Sequence, residues 1–221
     1  MADPATLRRI MVDTQVRPSD VTKFPIIAAM LDVPREAYVP AGWEPVAYAE
    51  DAIPVGDGRE MVEPRTLAKL LDALDLEPQE DVLLIGAALG YSTALVARLA
   101  ASVVAVEEDA ALARDTEANL AAQEVMNAVV VEGPLTGGAP KAAPFDVILI
   151  DGAVETVPAA LAAQLRPGGR IVAVFADGDR PGGMGEVRVG HEIGGRIAWR
   201  MEFNAGAAIL PGFERERAFV L

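Results

Sequence analysis

Residues 82–91 read VLLIGAALGY, an apolar run that ends in a turn of small residues and leads into a helical stretch. An uninterrupted apolar run is typical of a parallel strand that is buried on both faces. At the turn, Gly86 and Gly90 let the backbone approach a ligand, and the free N–H groups of the next helix start favour polar or anionic groups. A purely structural turn also needs small residues, so these ten positions predict a strand–turn–helix unit and leave a ligand role open.

Four more apolar runs follow the first one and alternate with stretches of helical character. The runs occupy residues 103–106, 129–131, 147–150 and 171–174, and the helical stretches occupy 91–100, 110–123 and 157–165. This alternation predicts an α/β fold with a Rossmann-like, doubly wound, mostly parallel sheet. After Gly182-Gly183, residues 186–193 and 196–203 flank a Gly-Gly pair and predict a C-terminal antiparallel hairpin. A last strand is predicted at 218–220.

The first 65 residues differ in character from the rest of the chain. Helically spaced apolar residues between Thr6 and Leu31, interrupted around Arg17-Pro18, predict two short helices. Residues 33–63 carry four prolines and predict a long loop without regular structure. We therefore predict an N-terminal helical and loop extension at 1–65, on the substrate side, and a Rossmann-like domain at 66–221.

The composition of the 221 residues excludes several classes of function. With 19 Lys and Arg against 33 Asp and Glu, the net charge is −14, and the resulting field repels nucleic acids and anionic membranes. The absence of Cys and the presence of a single His, His191, exclude a disulfide framework and a thiolate or multi-histidine metal site. No run approaches the roughly 18 apolar residues of a membrane span. We expect a soluble, cytoplasmic protein without nucleic-acid, membrane or metal partners.

Acidic residues end three of the predicted strands. Glu107 comes 21 residues after Gly86, close to the spacing of about 20 at which an acidic residue binds a ribose diol. Glu132 and Asp151 end the next two strands, and ligands of open α/β sheets bind along this edge. Without a ligand, the same acids serve as ordinary helix starts and turn residues. The glycine spacing, with Ala88 in the middle position, disfavours NAD.

Motifs along nearly the whole chain make it similar to one known family. They are MVDTQVR at 11–17, VPREAYVP at 33–40, AY at 47–48 followed by IPVGDG at 53–58, PFD at 144–146 and LRPGGR at 165–170. With these motifs the chain resembles the protein-L-isoaspartate O-methyltransferase family. The resemblance implies the class I methyltransferase fold and S-adenosyl-L-methionine as the cofactor. The implied reaction is protein repair, a methyl transfer to the carboxylate of L-isoaspartyl or D-aspartyl residues in damaged proteins.

The family pattern also suggests which residues hold the cofactor and what the partners are. In the family the glycine turn cradles the methionine part of the cofactor. The resemblance also implies that Glu107 holds the ribose and that Glu132 lies near the adenine. The expected cofactor-binding residues, all at the glycine turn or at strand ends, are Gly86, Ala88, Gly90, Tyr91, Glu107, Glu132 and Asp151. The implied partners are peptides or proteins that contain isoaspartyl residues, and the oligomeric state stays open.

Three positions depart from the family pattern. Leu84 stands where members usually have an acidic residue, and Ala88 stands where they have a glycine. Val62 lies where the family has a Thr-Ile-Ser run whose hydroxyls line the reaction centre. We take Val62 and Arg65 as the catalytic positions, because Arg65 is a candidate cation for a substrate carboxylate, although a charge at a helix start is the other interpretation. The departures keep two alternatives open, an impaired or inactive member that acts as a binding or regulatory module, and a methyltransferase with a different acceptor.

Overall fold

A central sheet carries the fold in the computed structural model, which describes residues 3–56, 58–176 and 184–215. The strands that these residues form are β1 (Ile53–Gly56), β2 (Arg59–Met61), β3 (Asp81–Ile85), β4 (Ser102–Glu107), β5 (Ala128–Glu132), β6 (Phe145–Val154), β7 (Leu165–Phe175), β8 (Gly185–Ile193) and β9 (Arg196–Ala205). β1 and β2 pair as a separate antiparallel hairpin, and the other seven form one sheet in the order β5-β4-β3-β6-β7-β8-β9.

The strand directions confirm the predicted fold class. β5, β4, β3, β6 and β7 run parallel to one another, whereas β8 is antiparallel to β7 and β9 is antiparallel to β8. β8 and β9 form the predicted C-terminal hairpin around Gly194 and Gly195. The strand predicted at 218–220 and the pair Gly182-Gly183 lie outside the described residues.

Both faces of the sheet are covered. The helices of the described residues are α1 (Pro4–Met11), α2 (Phe24–Asp32), α3 (Pro64–Leu74), α4 (Tyr91–Ala97), α5 (Ala110–Ala122) and α6 (Ala159–Ala162). Along β3, Val82 and Leu84 belong to one buried cluster with residues of α2, α3 and α4, while Leu83 and Ile85 belong to a second cluster that includes Leu161 of α6. This alternation explains why the strand is apolar at every position. No helix in the described ranges is long and apolar enough to span a bilayer.

The N-terminal extension has more regular structure than predicted. The two predicted helices are α1 and α2, with a π-helical turn at Val12–Val16 and a 3₁₀ turn at Arg17–Ser19 between them. The prediction of an irregular loop at 33–63 is wrong for the β1–β2 hairpin and for 3₁₀ turns at Arg35–Tyr38 and Glu44–Val46. The prolines are tolerated because they occupy turn starts and a two-stranded edge, where a backbone N–H is not needed.

Two further findings concern helices. The helix predicted at 157–165 is confined to Ala159–Ala162, because residue 165 already begins β7. α3 agrees with the interpretation of Arg65 as a charge at a helix start, and it follows directly on the extension. Apolar residues of the extension and of the sheet form one cluster, which includes Met30, Leu71 and Leu84. The division of the chain at residue 65 stays a prediction.

Candidate functional site at the carboxyl edge of the sheet

The three predicted acids lie along the carboxyl edge of the parallel sheet, on β5, β4 and β6. Glu107 ends β4 and pairs in register with Glu132, which ends β5. Asp151 follows Ile150, which is level with Ile85 at the end of β3. Glu107 and Asp151 are buried, whereas Glu132 is exposed. The acids therefore share one edge of the sheet, as the alternation of strands and helices predicts.

The glycine turn between β3 and α4 has an unusual backbone. Gly86, Ala88 and Gly90 have φ angles of 86°, 52° and 97°. The left-handed conformation costs a residue with a side chain roughly 1–2 kcal/mol, so Ala88 must be held in place. Its N–H donates to Glu107 Oε2 at 2.9 Å, and its carbonyl accepts from Thr116 Oγ1 at 2.7 Å. The turn is thus fixed by contacts on both sides of Ala88.

Glu107 forms a buried, bidentate ion pair with Arg59 of β2. Arg59 Nη1 donates to Oε1 at 2.9 Å, and Nη2 donates to Oε2 at 3.0 Å. The two side chains are 6% and 0% exposed. The backbone N–H groups of Glu108 and Asp109 also donate to Oε1, at 3.0 and 3.2 Å. With the bond from Ala88, the carboxylate accepts five hydrogen bonds from protein donors.

Residues 208–213, the tail segment, cross the same edge. Ala153 N donates to Ala208 O at 2.8 Å, and Leu210 N donates to Ala153 O at 2.9 Å. The Leu210 side chain covers the two strand-end glycines. A Cβ built on Gly152 would lie 2.7 Å from Leu210 Cγ, and one on Gly86 would lie 3.2 Å from Leu210 Cδ1. The space over the glycine turn is therefore filled by the chain itself.

Burial raises the pKa of the Asp151 carboxyl to about 6, and the nearby charges of Arg59 and Arg35 oppose this rise. One oxygen of Asp151, Oδ1, has no hydrogen-bond partner among the described residues. The raised pKa shows that desolvation outweighs the two guanidinium groups at this position.

Asp151→Asn makes the stability of the fold less sensitive to pH. A carboxyl with a higher pKa in the folded state holds its proton more tightly there, so its contribution to folding declines as the pH rises from about 4 to about 6. Relative to the wild type, the unfolding free energy of Asp151→Asn should rise by about 2 kcal/mol between pH 4.5 and pH 7.5. Urea unfolding at both pH values measures the change, with Asp115→Asn at an exposed position of α5 as the matched control. A difference that does not vary with pH would contradict the burial argument.

The other predicted residues have different environments. Val62 is buried, and its carbonyl accepts from Arg35 Nη2 at 2.9 Å. Tyr91 is buried with its ring 4.8 Å from the Arg35 guanidinium carbon. Arg65 is exposed, and its Nε donates to Ser19 Oγ at 3.2 Å. Beside Glu132, an open cleft of about 550 Å³ is lined by Glu108, Asp109, Glu132, Gly133 and Pro134.

Sequence reasoning missed Arg59 and Leu210. The sequence predicts one candidate cation, Arg65, as a partner for a substrate carboxylate. The structure shows a different cation, Arg59, buried against Glu107. Arg59 directly follows the Ile-Pro-Val-Gly-Asp-Gly motif, which was a usable signal. For Leu210, no local pattern indicates a contact with residues about 60 positions earlier.

The chain matches known proteins over most of its length. The model of the family described as protein-L-isoaspartate(D-aspartate) O-methyltransferase matches residues 10–180. A protein-L-isoaspartate O-methyltransferase of Methylorubrum extorquens (strain PA1) is 40% identical over 170 residues, which are 77% of this chain and 74% of that protein.

Two solved structures share the fold. One, a protein-L-isoaspartate O-methyltransferase, has a TM-score of 0.81 and 21% identity, and the match covers 95% of this chain and 66% of that one. The other, from Plasmodium falciparum, is described as a putative protein-L-isoaspartate O-methyltransferase in complex with S-adenosyl-L-homocysteine. It has a TM-score of 0.77 and 15% identity, with 95% of this chain and 99% of that one covered. At these identities the likeness establishes the fold.

Proposed function

Because the chain belongs to the protein-L-isoaspartate(D-aspartate) O-methyltransferase family, we propose that it transfers a methyl group from S-adenosyl-L-methionine to the carboxylate of L-isoaspartyl or D-aspartyl residues in damaged proteins. The observation that carries the proposal is the family match over residues 10–180, together with 40% identity to a relative of that name. The class I fold and the row of acids at the carboxyl edge support it, because this is where such sheets bind ligands.

Methyl transfer to a carboxylate does not require an acid–base catalyst from the protein. A carboxylate is already ionised near neutral pH, so no residue has to remove a proton from it. Alignment and desolvation of the reactants supply most of the acceleration, up to about 7–11 kcal/mol in well-oriented systems. Val62 in place of a hydroxyl residue is therefore compatible with activity, at a cost on the order of 1–3 kcal/mol for one lost hydrogen bond.

The residues do not fit the cofactor in the described conformation. Glu107, the proposed partner of the ribose, accepts five hydrogen bonds, and a carboxylate offers only about four lone-pair sites. No acceptor remains for a diol. Leu210 also covers Gly86 and Gly152. Cofactor binding therefore requires Arg59 and the tail segment to move.

The proposed site comprises a cofactor side and a catalytic side. Gly86, Ala88, Gly90, Tyr91, Glu107, Glu132 and Asp151 are proposed for the cofactor, and Val62 and Arg65 for the catalytic side. Their shared edge and the open cleft beside Glu132 support the cofactor set. The extension at 1–65 is proposed to face the substrate, and the absence of cysteine is compatible with the cytoplasmic location that we propose.

The Arg59–Glu107 ion pair favours a second candidate, a family member that binds other molecules without turnover. A permanently closed pair would prevent cofactor binding, and Leu84, Ala88 and Val62 all depart from the family pattern at positions that the resemblance assigns to the cofactor or to the reaction centre. A third candidate, a methyltransferase for another carboxylate, shares the first candidate's requirement for the cofactor.

The proposed function is tested by a labelled methyl-transfer assay. The wild-type protein is incubated with millimolar labelled cofactor and either an isoaspartyl peptide or the same peptide with a normal aspartyl residue. We expect a base-labile methyl ester on the isoaspartyl peptide alone, because the two isomers differ only in the placement of one carboxylate. Ester on neither peptide would contradict repair activity, and equal labelling of both would indicate a different acceptor.

A further inference from the structure

We infer that Arg59 is an internal ligand of Glu107 which, together with Leu210, closes the cofactor site, so that the cofactor binds only to molecules in which both side chains have moved away. The inference rests on the proposed function, because the site that they close is the one proposed for S-adenosyl-L-methionine. In this inference Arg59 controls the affinity for the cofactor and does not take part in methyl transfer.

The guanidinium group of Arg59 imitates the ligand that Glu107 is expected to bind. A ribose diol presents two neighbouring O–H donors to the two oxygens of a carboxylate. Arg59 presents two N–H donors to the same two oxygens, at 2.9 and 3.0 Å. Such a paired, charge-assisted contact is roughly twice as strong as neutral hydrogen bonds, and it is fully buried here. Arg59 and a ribose therefore compete for one site.

The glycine turn accommodates this side chain. A Cβ on Gly86 would lie 3.3 Å from Arg59 Nη2, closer than most side-chain contacts. Because Gly86 has no side chain, the guanidinium group of Arg59 can lie close to its backbone. A turn of this kind otherwise serves to bring the backbone near a ligand.

The tail segment and β2 are joined to each other. Glu60, the residue after Arg59, accepts a hydrogen bond at Oε1 from Ala208 N at 2.7 Å. Ala208 and Leu210 in turn pair with Ala153 at the edge of the sheet. Because one hydrogen bond links the strand that carries Arg59 to the segment that carries Leu210, we expect the two side chains to leave the site together.

Because only open molecules bind, the apparent Kd for the cofactor equals the Kd of the open form divided by the fraction of molecules that are open. If fewer than one molecule in ten is open, weakening the closed form tightens the apparent Kd for the cofactor product by about tenfold or more. Arg59→Gln removes the charge and the fork of donors, and Arg59→Lys keeps the charge but not the fork. The expected order of affinity is therefore Arg59→Gln, then Arg59→Lys, then the wild type.

Calorimetric titration with S-adenosyl-L-homocysteine tests the inference on the wild type, Arg59→Gln, Arg59→Lys, Leu210→Ala and the double variant Arg59→Gln/Leu210→Ala. Circular dichroism verifies that each variant is folded. Arg98→Gln is the matched control, because it breaks an exposed ion pair with Asp32. We expect Arg59→Gln to bind S-adenosyl-L-homocysteine at least about tenfold more tightly than the wild type does. The double variant should bind it more tightly still, and the control should have the same Kd as the wild type.

Two results would overturn the inference, and they differ in what they say about the proposed function. Equal Kd values for the wild type and the folded Arg59 variants would show that Arg59 does not close the site, while the cofactor assignment would stand. No binding by any folded variant at millimolar ligand would refute both the closure and the cofactor assignment.

Discussion

Glu107→Gln lowers the free energy of unfolding by about 3–5 kcal/mol, the cost of removing one partner from a buried ion pair. The substitution leaves Arg59 buried with half of its acceptor. It also turns an amide N–H₂ group toward N–H donors of the backbone, because Glu107 accepts from Ala88, Glu108 and Asp109 as well. Urea unfolding monitored by circular dichroism measures the loss.

Removing Arg59 and removing Glu107 leave different buried groups without a partner. In Arg59→Gln the carboxylate keeps its three backbone donors, so the expected loss is smaller than for Glu107→Gln. Arg98→Gln is the matched control, since the Arg98–Asp32 pair is 52% and 57% exposed and is worth less than about 1 kcal/mol. A Glu107→Gln loss as small as that of the control would show that the pair is not formed in solution.

Arg35→Met lowers the free energy of unfolding by roughly 2–4 kcal/mol, because it leaves two buried carbonyl groups without a donor. Arg35 is 0% exposed, and it donates to Ala47 O at 2.8 Å and to Val62 O at 2.9 Å. Its guanidinium group also lies over the Tyr91 ring. Arg35 thereby ties the 3₁₀ turn of the extension to the segment before α3.

The measurement is again urea unfolding, now with Arg114→Met as the control. Arg114 is exposed on α5, where Met and Arg have similar helix propensities, so its replacement should change stability by less than about 0.5 kcal/mol. Equal effects of the two substitutions would contradict the role of Arg35 in joining these segments.

The strands and the acidic edge were predictable because their signals are local. The inner parallel strands β3 and β6 are buried on both faces, so their residues are apolar almost without interruption, and the carboxyl ends of neighbouring parallel strands meet at one edge. The edge strand β5 is also apolar, although Val129 is exposed. The extent of α3 also has a local signal, because Leu67, Leu70, Leu71 and Leu74 lie at helical spacing after Pro64 at its start. In the β1–β2 hairpin the prolines concealed regular structure.

The closed site was not predictable because its contacts join distant parts of the chain. Arg59 and Glu107 are 48 positions apart, and no periodicity links them. From the sequence, Ala88 is one of three departures from the family pattern, at a position where members have a glycine. In the structure Ala88 has a positive φ and donates to Glu107, which is already bound by Arg59. The partner of an acidic residue at a strand end is determined by tertiary contacts. A local sequence motif does not indicate these contacts.

In our proposal, Arg59 limits the affinity of this methyltransferase for its cofactor. The most direct test is the KM for S-adenosyl-L-methionine in methyl transfer to an isoaspartyl peptide, measured for the wild type and for Arg59→Gln. We expect the KM to fall by about tenfold or more in Arg59→Gln, while kcat changes much less, because the substitution removes a competitor for the site. An unchanged KM, or no methyl ester with either protein, would contradict the claim.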